Sequence, residues 1–142
     1  MPDEETRDDR LIVRMRVEVG QKLAECKRQV TSLLKQAGMK KPDNVGNGWT
    51  KSHRAWLENL TQTGPGFGFQ QALSSLLRQV RWHEEEIKRL DEAVEALTET
   101  QRYAEPVREL CDIKGVGILT AMVFLTEVGD MSRFSNRRQI AA

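Results

Sequence analysis

Cysteine is nearly absent. Cys26 and Cys111 stand alone, with no second cysteine or histidine at ligand spacing, which excludes a disulfide framework and a sequence-coded zinc site and leaves two reduced thiols on helix faces. Long apolar runs are missing too, since nothing approaches the roughly 18 to 20 residues that a membrane span needs. The start of the chain lacks the basic and then apolar order of a secretory signal, because Met1 to Arg10 is acidic. Together these point to a cytoplasmic protein with no membrane partner. Low-complexity tracts and internal repeats are also lacking. What remains is 142 residues, 39% hydrophobic and 30% charged: room for one modest domain, with solvated helix faces and an elongated shape as the better fit.

Net charge is nearly absent as well, but the formal +1 conceals a division along the chain. Residues 1–9 carry −4, residues 10–54 carry +8, residues 55–105 carry −4 and residues 106–142 carry +1. Polyanion contact therefore belongs to the basic segment or to the C-terminal part. Such an excess concentrates nucleic acid through counterion release and encodes no sequence preference. A solvated helix face is the alternative.

From about Glu5 to Ala37 there is no proline and only Gly20, while Ile12, Met15, Val19, Leu23, Cys26, Val30, Leu33 and Ala37 recur every three or four residues, as in one long amphipathic helix. Gly38 is the stop expected just past such a helix. A short helix around Thr50 to Leu60 follows, anchored by Trp49, Trp56 and Leu57, and Gly64, Pro65, Gly66 and Gly68 punctuate a turn after it. The expected fold is all-α, with boundaries at 1–69, 70–105 and 106–142: basic helix and Trp-bearing connector, heptad helix, and the beginning of a helix-hairpin-helix domain.

The middle segment, Gln70 to about Tyr103, is a heptad repeat. Leu73, Val80, Ile87 and Val94 occupy position a, and Leu76, His83, Leu90 and Leu97 occupy position d, with Glu84, Glu86, Arg89 and Asp91 beside the seam. Mostly β-branched a with Leu at d favours a two-stranded parallel coil, hence a homo-oligomer through these eight residues. An intramolecular pair with the first long helix buries the same stripe and stays open as the alternative. His83 cannot pack as Leu does and needs a hydrogen-bond partner or water; it reads as a register-setting polar residue rather than a catalytic one.

After Pro106, Leu110 and Ile113 end a short helix facing inward, Gly115 and Gly117 reverse the chain, Val116 plugs the space between helices, and a second helix begins near Ile118 with the small Ala121 allowing close packing. Backbone N–H groups from Gly115 to Leu119 then point outward at a helix N-terminus, a ready place for a phosphate oxygen. Lys114 adds a charge and Thr120 a hydroxyl. The candidate DNA-binding set is Lys114, Gly115, Val116, Gly117, Ile118, Leu119 and Thr120. A tight αα-corner without ligand is the alternative, since glycine at a helix junction needs only a backbone reason. A base-excision glycosylase would need a catalytic aspartate downstream; Asp130 sits in a helix exit with no aromatic-lined base pocket to serve it.

Leu110 to Ala142, through Ile113-Lys-Gly-Val-Gly-Ile-Leu-Thr-Ala and then Thr126-Glu-Val-Gly-Asp-Met-Ser-Arg-Phe-Ser-Asn-Arg-Arg-Gln-Ile-Ala-Ala, resembles the start of the C-terminal domain of transposases of the insertion sequence 110/116/902 family. Arg10-Leu-Ile-Val-Arg, Leu33-Leu-Lys-Gln-Ala-Gly, Trp49-Thr and Trp56-Leu are similar to that family's linker and coiled-coil region. The resemblance implies a fragment acting in DNA transposition and recombination, with DNA as partner, a guide RNA associated with family members, and a divalent metal in the intact enzyme. It also implies that the family's upstream carboxylate cluster and downstream nucleophilic serine fall outside this chain. On that reading Asp8 and Asp9 are not cluster residues, Ser135 is a helix N-cap, no catalytic or metal-binding residue is assigned, and no cofactor is expected in this chain. A coiled-coil interaction protein that pairs with and modulates an intact transposase is the rival function.

Overall fold

The structure, a computed structural model, describes residues 3–128. Those residues form five helices and no strand: α1 (Glu4–Gln36), α2 (Lys51–Thr63), α3 (Phe67–Thr98), α4 (Ala104–Cys111) and α5 (Ile118–Val128). The all-α expectation holds. None of these helices is long and apolar enough to cross a membrane. The chain divides into two compact units, one made of residues up to Val19 with those from Glu86 onward, the other of Gly20–Glu85. Helices α1 and α3 each contribute to both.

In the first unit, Val13, Val94, Tyr103, Val107, Met122 and Leu125 form the core, with Ile12, Leu97, Leu110, Cys111, Leu119 and Val123 packed around it. Helix α1 starts on Asp3, whose carboxylate accepts the Thr6 N–H at 2.7 Å, and Glu4 and Glu5 place negative charge in its first turn. Hydrogen bonds from the Thr6 backbone and hydroxyl, then from Arg102, lower the Asp3 carboxyl to about 2. Arg102 also reaches Glu5 and the buried Thr6 hydroxyl. Further along α1, Arg10 donates to the Thr126 carbonyl at 2.8 Å, Arg14 holds Glu127 through two bonds of 2.6 and 2.8 Å, and Arg16 pairs with Asp91 at 2.6 Å. Arg102, just past α3, meets Asp3 and Glu5, whereas Asp91 within α3 meets Arg16, so α1 and the end of α3 are antiparallel in this unit.

In the second unit, Val30, Leu34, Leu57, Leu60, Leu73 and Leu77 are buried together, with Leu33, Met39, Trp49, Trp56, Phe69 and Leu76 against them. Helix α1 ends in a Schellman motif. The Met39 N–H donates to the Leu34 carbonyl at 2.9 Å and the Gly38 N–H to the Lys35 carbonyl at 3.1 Å, with Gly38 at φ +69°. Met39 and Leu34 meet in the core, completing the motif's apolar contact. Thr50 caps α2 by accepting the His53 N–H at 3.3 Å. Where α2 passes into α3, a Cβ on Gly64 would lie 2.4 Å from the Phe69 ring and 2.7 Å from the Leu60 carbonyl oxygen, so only glycine allows this approach.

Two inward assignments differ from the sequence reading. On α1 the buried line runs through Val13, Val19, Cys26, Val30 and Leu34, whereas Met15 is 46% exposed; a 3.6-residue turn carries Met15 off the face that a three-four count assigns it. On α3, Leu73, Val80 and Val94 are buried, Leu77 is buried beside the half-buried Leu76, and His83, Ile87, Leu90 and Leu97 are half-buried. Leu73, Leu76 and Leu77 pack with the end of α1, and Val94 and Leu97 with its beginning, so burial follows the intramolecular alternative. His83 lies edge-on to Trp82 at 5.2 Å, and its buried Nδ1 has no hydrogen-bond partner among the described residues.

Candidate nucleic-acid interface

The hairpin between α4 and α5 is a β-turn closed by the Val116 N–H on the Ile113 carbonyl at 3.1 Å, with Gly115 at φ +89° in the third position, where an L-residue is strained. Helix α4 begins at Ala104, so Pro106 falls within the first turn, where its missing N–H costs no helical bond. The first bond of α5 runs from the Ala121 N–H to the Gly117 carbonyl at 3.0 Å; the amides of Ile118, Leu119 and Thr120 therefore precede any acceptor within the helix. A Cβ added at Gly115 or Gly117 would meet nothing within 4 Å, so both glycines face open space.

Of the seven candidate contact residues, Lys114, Gly115, Gly117, Ile118 and Thr120 are exposed, and Val116 and Leu119 are half-buried. Leu119 packs on the core of the first unit, and the fully buried Ala121 sits where a small residue was expected. Ile113 is a correction: it is 53% exposed rather than inward, because the turn it opens lifts it off α4 after Cys111. With Ile118, 44% exposed, it gives the hairpin tip an apolar edge beside its amides. The local charge is mixed. Arg108 lies 3.9 Å from Glu105, and Glu109, Asp112 and Lys114 are all exposed, so net charge does not single out the hairpin and its oriented N–H groups at the helix end are its distinguishing feature.

No metal chemistry is built into the described residues, where no group of three or more His, Cys, Asp or Glu is arranged to hold an ion. Asp9 accepts the Tyr103 hydroxyl at 2.6 Å. The divalent metal implied for an intact family enzyme therefore finds no fitting donor set here. Cys26 and Cys111 are free thiols; burial, then Glu25, pushes the Cys26 thiol up. Asp130, Phe134, Ser135 and the rest of the string from Gly129 lie outside the described residues.

Sequence reasoning placed polyanion contact somewhere in residues 10–54 without dividing that segment. The structure divides it by use: Arg10, Arg14 and Arg16 are engaged within the first unit, and Arg54 is held by Glu84 through bonds of 2.7 and 2.6 Å. These are long-range pairings that no local pattern reveals. Lys27, Lys35, Lys40 and Lys41 have no ion pair among the described residues, and they line two grooves of the second unit.

The described residues thus form an all-helical chain with a glycine hairpin leading into an exposed α5 N-terminus. Residues 107–142, which begin in α4 and include the hairpin, match the family model described as Transposase IS116/IS110/IS902 family. The transposase for insertion sequence element IS1533 from Leptospira borgpetersenii is 36% identical over 90 residues, which is 63% of this chain and 25% of that protein. The chain thus spans about a quarter of the length of the curated relative it matches. The resemblance to insertion-sequence transposases holds, and the family model meets the chain in the segment that carries the hairpin. No solved structure matches the chain.

Proposed function

We propose that the chain is a transposase-related fragment that binds duplex DNA, in the service of transposition and recombination, by seating a backbone phosphate on the amides of Gly115 to Thr120. One observation carries this reading: in the segment that matches the transposase family, both hairpin glycines face open space in front of a helix N-terminus. Lys114 and Thr120 stand exposed beside it. Contacts of this kind position a protein on DNA without reading bases, so binding is salt-dependent and largely indifferent to sequence.

The rival reading, a coiled-coil partner of an intact transposase, draws less support. Leu73, Val80 and Val94, three of its four position-a residues, are buried within the single chain, whereas Ile87 and the d residues Leu76, His83, Leu90 and Leu97 are half-buried, so only part of that stripe is open to a second copy. The same holds for a homo-oligomer through that stripe.

The test is fluorescence anisotropy of a labelled 20-base-pair duplex with the full chain across a salt series, for wild type and for Lys114→Glu with Gly117→Asp. Wild-type affinity should fall steeply with salt, and the double variant should bind about tenfold or more weakly at a salt where one or two phosphate contacts dominate. Equal binding by both proteins would reduce the hairpin to a structural corner.

A further inference from the structure

Four lysines of the second unit, Lys27, Lys35, Lys40 and Lys41, stand along two adjoining grooves. One is lined by Lys27, Arg28, Thr31, Ser32, Lys35 and Trp49. The other shares Thr31 and Lys35 with it and continues past Leu34, Met39, Lys40, Lys41, His53 and Trp56. On α1 the residues at 27, 28, 31, 32 and 35 recur on one helix face, so cations and hydroxyls alternate over about 12 Å. The Lys27 ammonium stands 5.5 Å from the centre of the Trp49 ring, and the Arg54 guanidinium stands at the same distance. Two carboxylates stand nearby: Glu25 pairs with the groove's own Arg28 at 2.7 Å, and Glu84 holds Arg54 at 2.6 Å and also feels the charge of Lys27. Lys27, Lys35 and Lys40 have no ion pair among the described residues. Against this cationic rim the second groove sets apolar wall from Leu34, Met39 and the half-buried Trp56, and His53, whose Nδ1 has no hydrogen-bond partner among the described residues.

We infer that these joined grooves bind an extended single strand of nucleic acid, phosphates along Lys27, Lys35 and Lys40 and a base against the Trp56 and His53 wall. Charge complementarity alone would suit any polyanion. The apolar and aromatic wall decides between them, because a single strand offers free base faces to such a wall and a duplex keeps its bases stacked inside. Thr31 and Ser32 supply hydroxyls for phosphate or sugar oxygens between the lysines. RNA and DNA single strands share this chemistry, and the experiment separates them. The inference does not depend on the hairpin, which lies in the other unit.

The experiment measures anisotropy of labelled 12-nucleotide oligouridine RNA, 12-nucleotide oligothymidine DNA and a 12-base-pair duplex with the full chain. Lys35→Glu with Lys40→Glu is compared with wild type, with Lys35→Gln with Lys40→Gln, with the exposed Lys88→Glu as charge control, and with Gly117→Asp; a thermal melt of each variant reports folding. Single strands should bind and quench tryptophan fluorescence. The double Glu variant should weaken them about tenfold, the double Gln variant less so, and the slope of log affinity against log salt should shrink by roughly 1.4 if two phosphates are lost. Lys88→Glu should leave single-strand binding unchanged, and Gly117→Asp should lower duplex binding by a larger factor than single-strand binding. A preference for oligouridine or for oligothymidine names the natural strand, and either supports the site. Single-strand binding that is indifferent to both Lys35/Lys40 variants, or absent while the duplex binds, overturns it.

Discussion

The Tyr103 hydroxyl donates to the Asp9 carboxylate at 2.6 Å, and this bond ties the first turns of α1 to the residue that opens α4. Tyr103 is fully buried in the core of the first unit, and burial, followed by the hydrogen bond to Asp9, raises its phenol above the usual range, so it stays a donor at all ordinary pH. Tyr103→Phe should cost about 1.5–3 kcal/mol, the range for a hydrogen bond to a charged group, read as a lower urea midpoint at unchanged m. Tyr103→Ala should cost about 3–5 kcal/mol through the cavity it leaves. A Phe variant as stable as wild type would show that the ring matters and the hydroxyl does not.

Glycines in the turn between α2 and α3 should divide by the space in front of them. Gly64→Ala drives a methyl to 2.4 Å from the Phe69 ring and should destabilise by about 1–3 kcal/mol. Gly68, in the first turn of α3 with nothing within 4 Å, should accept Ala with a gain of about 0.4–1 kcal/mol. Melting curves of the two variants moving in the same direction would contradict the packing described at this turn.

Gly117→Asp separates folding from binding at the hairpin. Asp is at least as good an N-cap as Gly, and its charge favours a helix N-terminus, so the variant should melt within a few tenths of a kcal/mol of wild type or slightly above. The same carboxylate occupies the place of a phosphate and should weaken duplex binding. Gly115→Asp is the poorer probe, because its φ of +89° strains any side chain. A Gly117→Asp chain that unfolds would show that the residue carries a backbone role the open space does not reveal.

Burial, then Lys41 and Arg54, holds His53 below the usual histidine value. The sign follows from proton uptake. As pH falls below about 6.5 the unfolded chain protonates His53 before the folded one does, so its contribution to stability is present above that pH and is lost toward the lower folded value. Proton NMR should show His53 titrating below a model peptide, and single-strand binding should move it upward, because a phosphate favours the imidazolium. An upshifted His53 in the free chain would contradict the packing around it.

Much of the fold was legible because its signals are local. Gly38 stopped α1, the Thr50 and Trp56 region formed α2, and α5 began at Ile118, each through a cap or a glycine within a few residues. Choices made by distant partners were not legible. A count of threes and fours cannot tell Val13 from Met15, and the end of α3 at Thr98 rather than near Tyr103 follows from Tyr103 entering the core with Val107. For the hairpin, glycine spacing predicted the exposed amides, whereas the outward turn of Ile113 needed coordinates. The basic grooves were legible only as a net charge, since deciding which cations remain unpaired requires knowing that Arg10, Arg14 and Arg16 meet Thr126, Glu127 and Asp91.

The most direct measurement is a titration of the 15N-labelled chain with short duplex DNA, followed through amide shifts. Contact at the hairpin predicts that the amides of Gly115, Gly117, Ile118, Leu119 and Thr120 move first and furthest, and that the movement disappears at high salt. Shifts confined to the second unit, with those five amides unmoved at saturation, would contradict it.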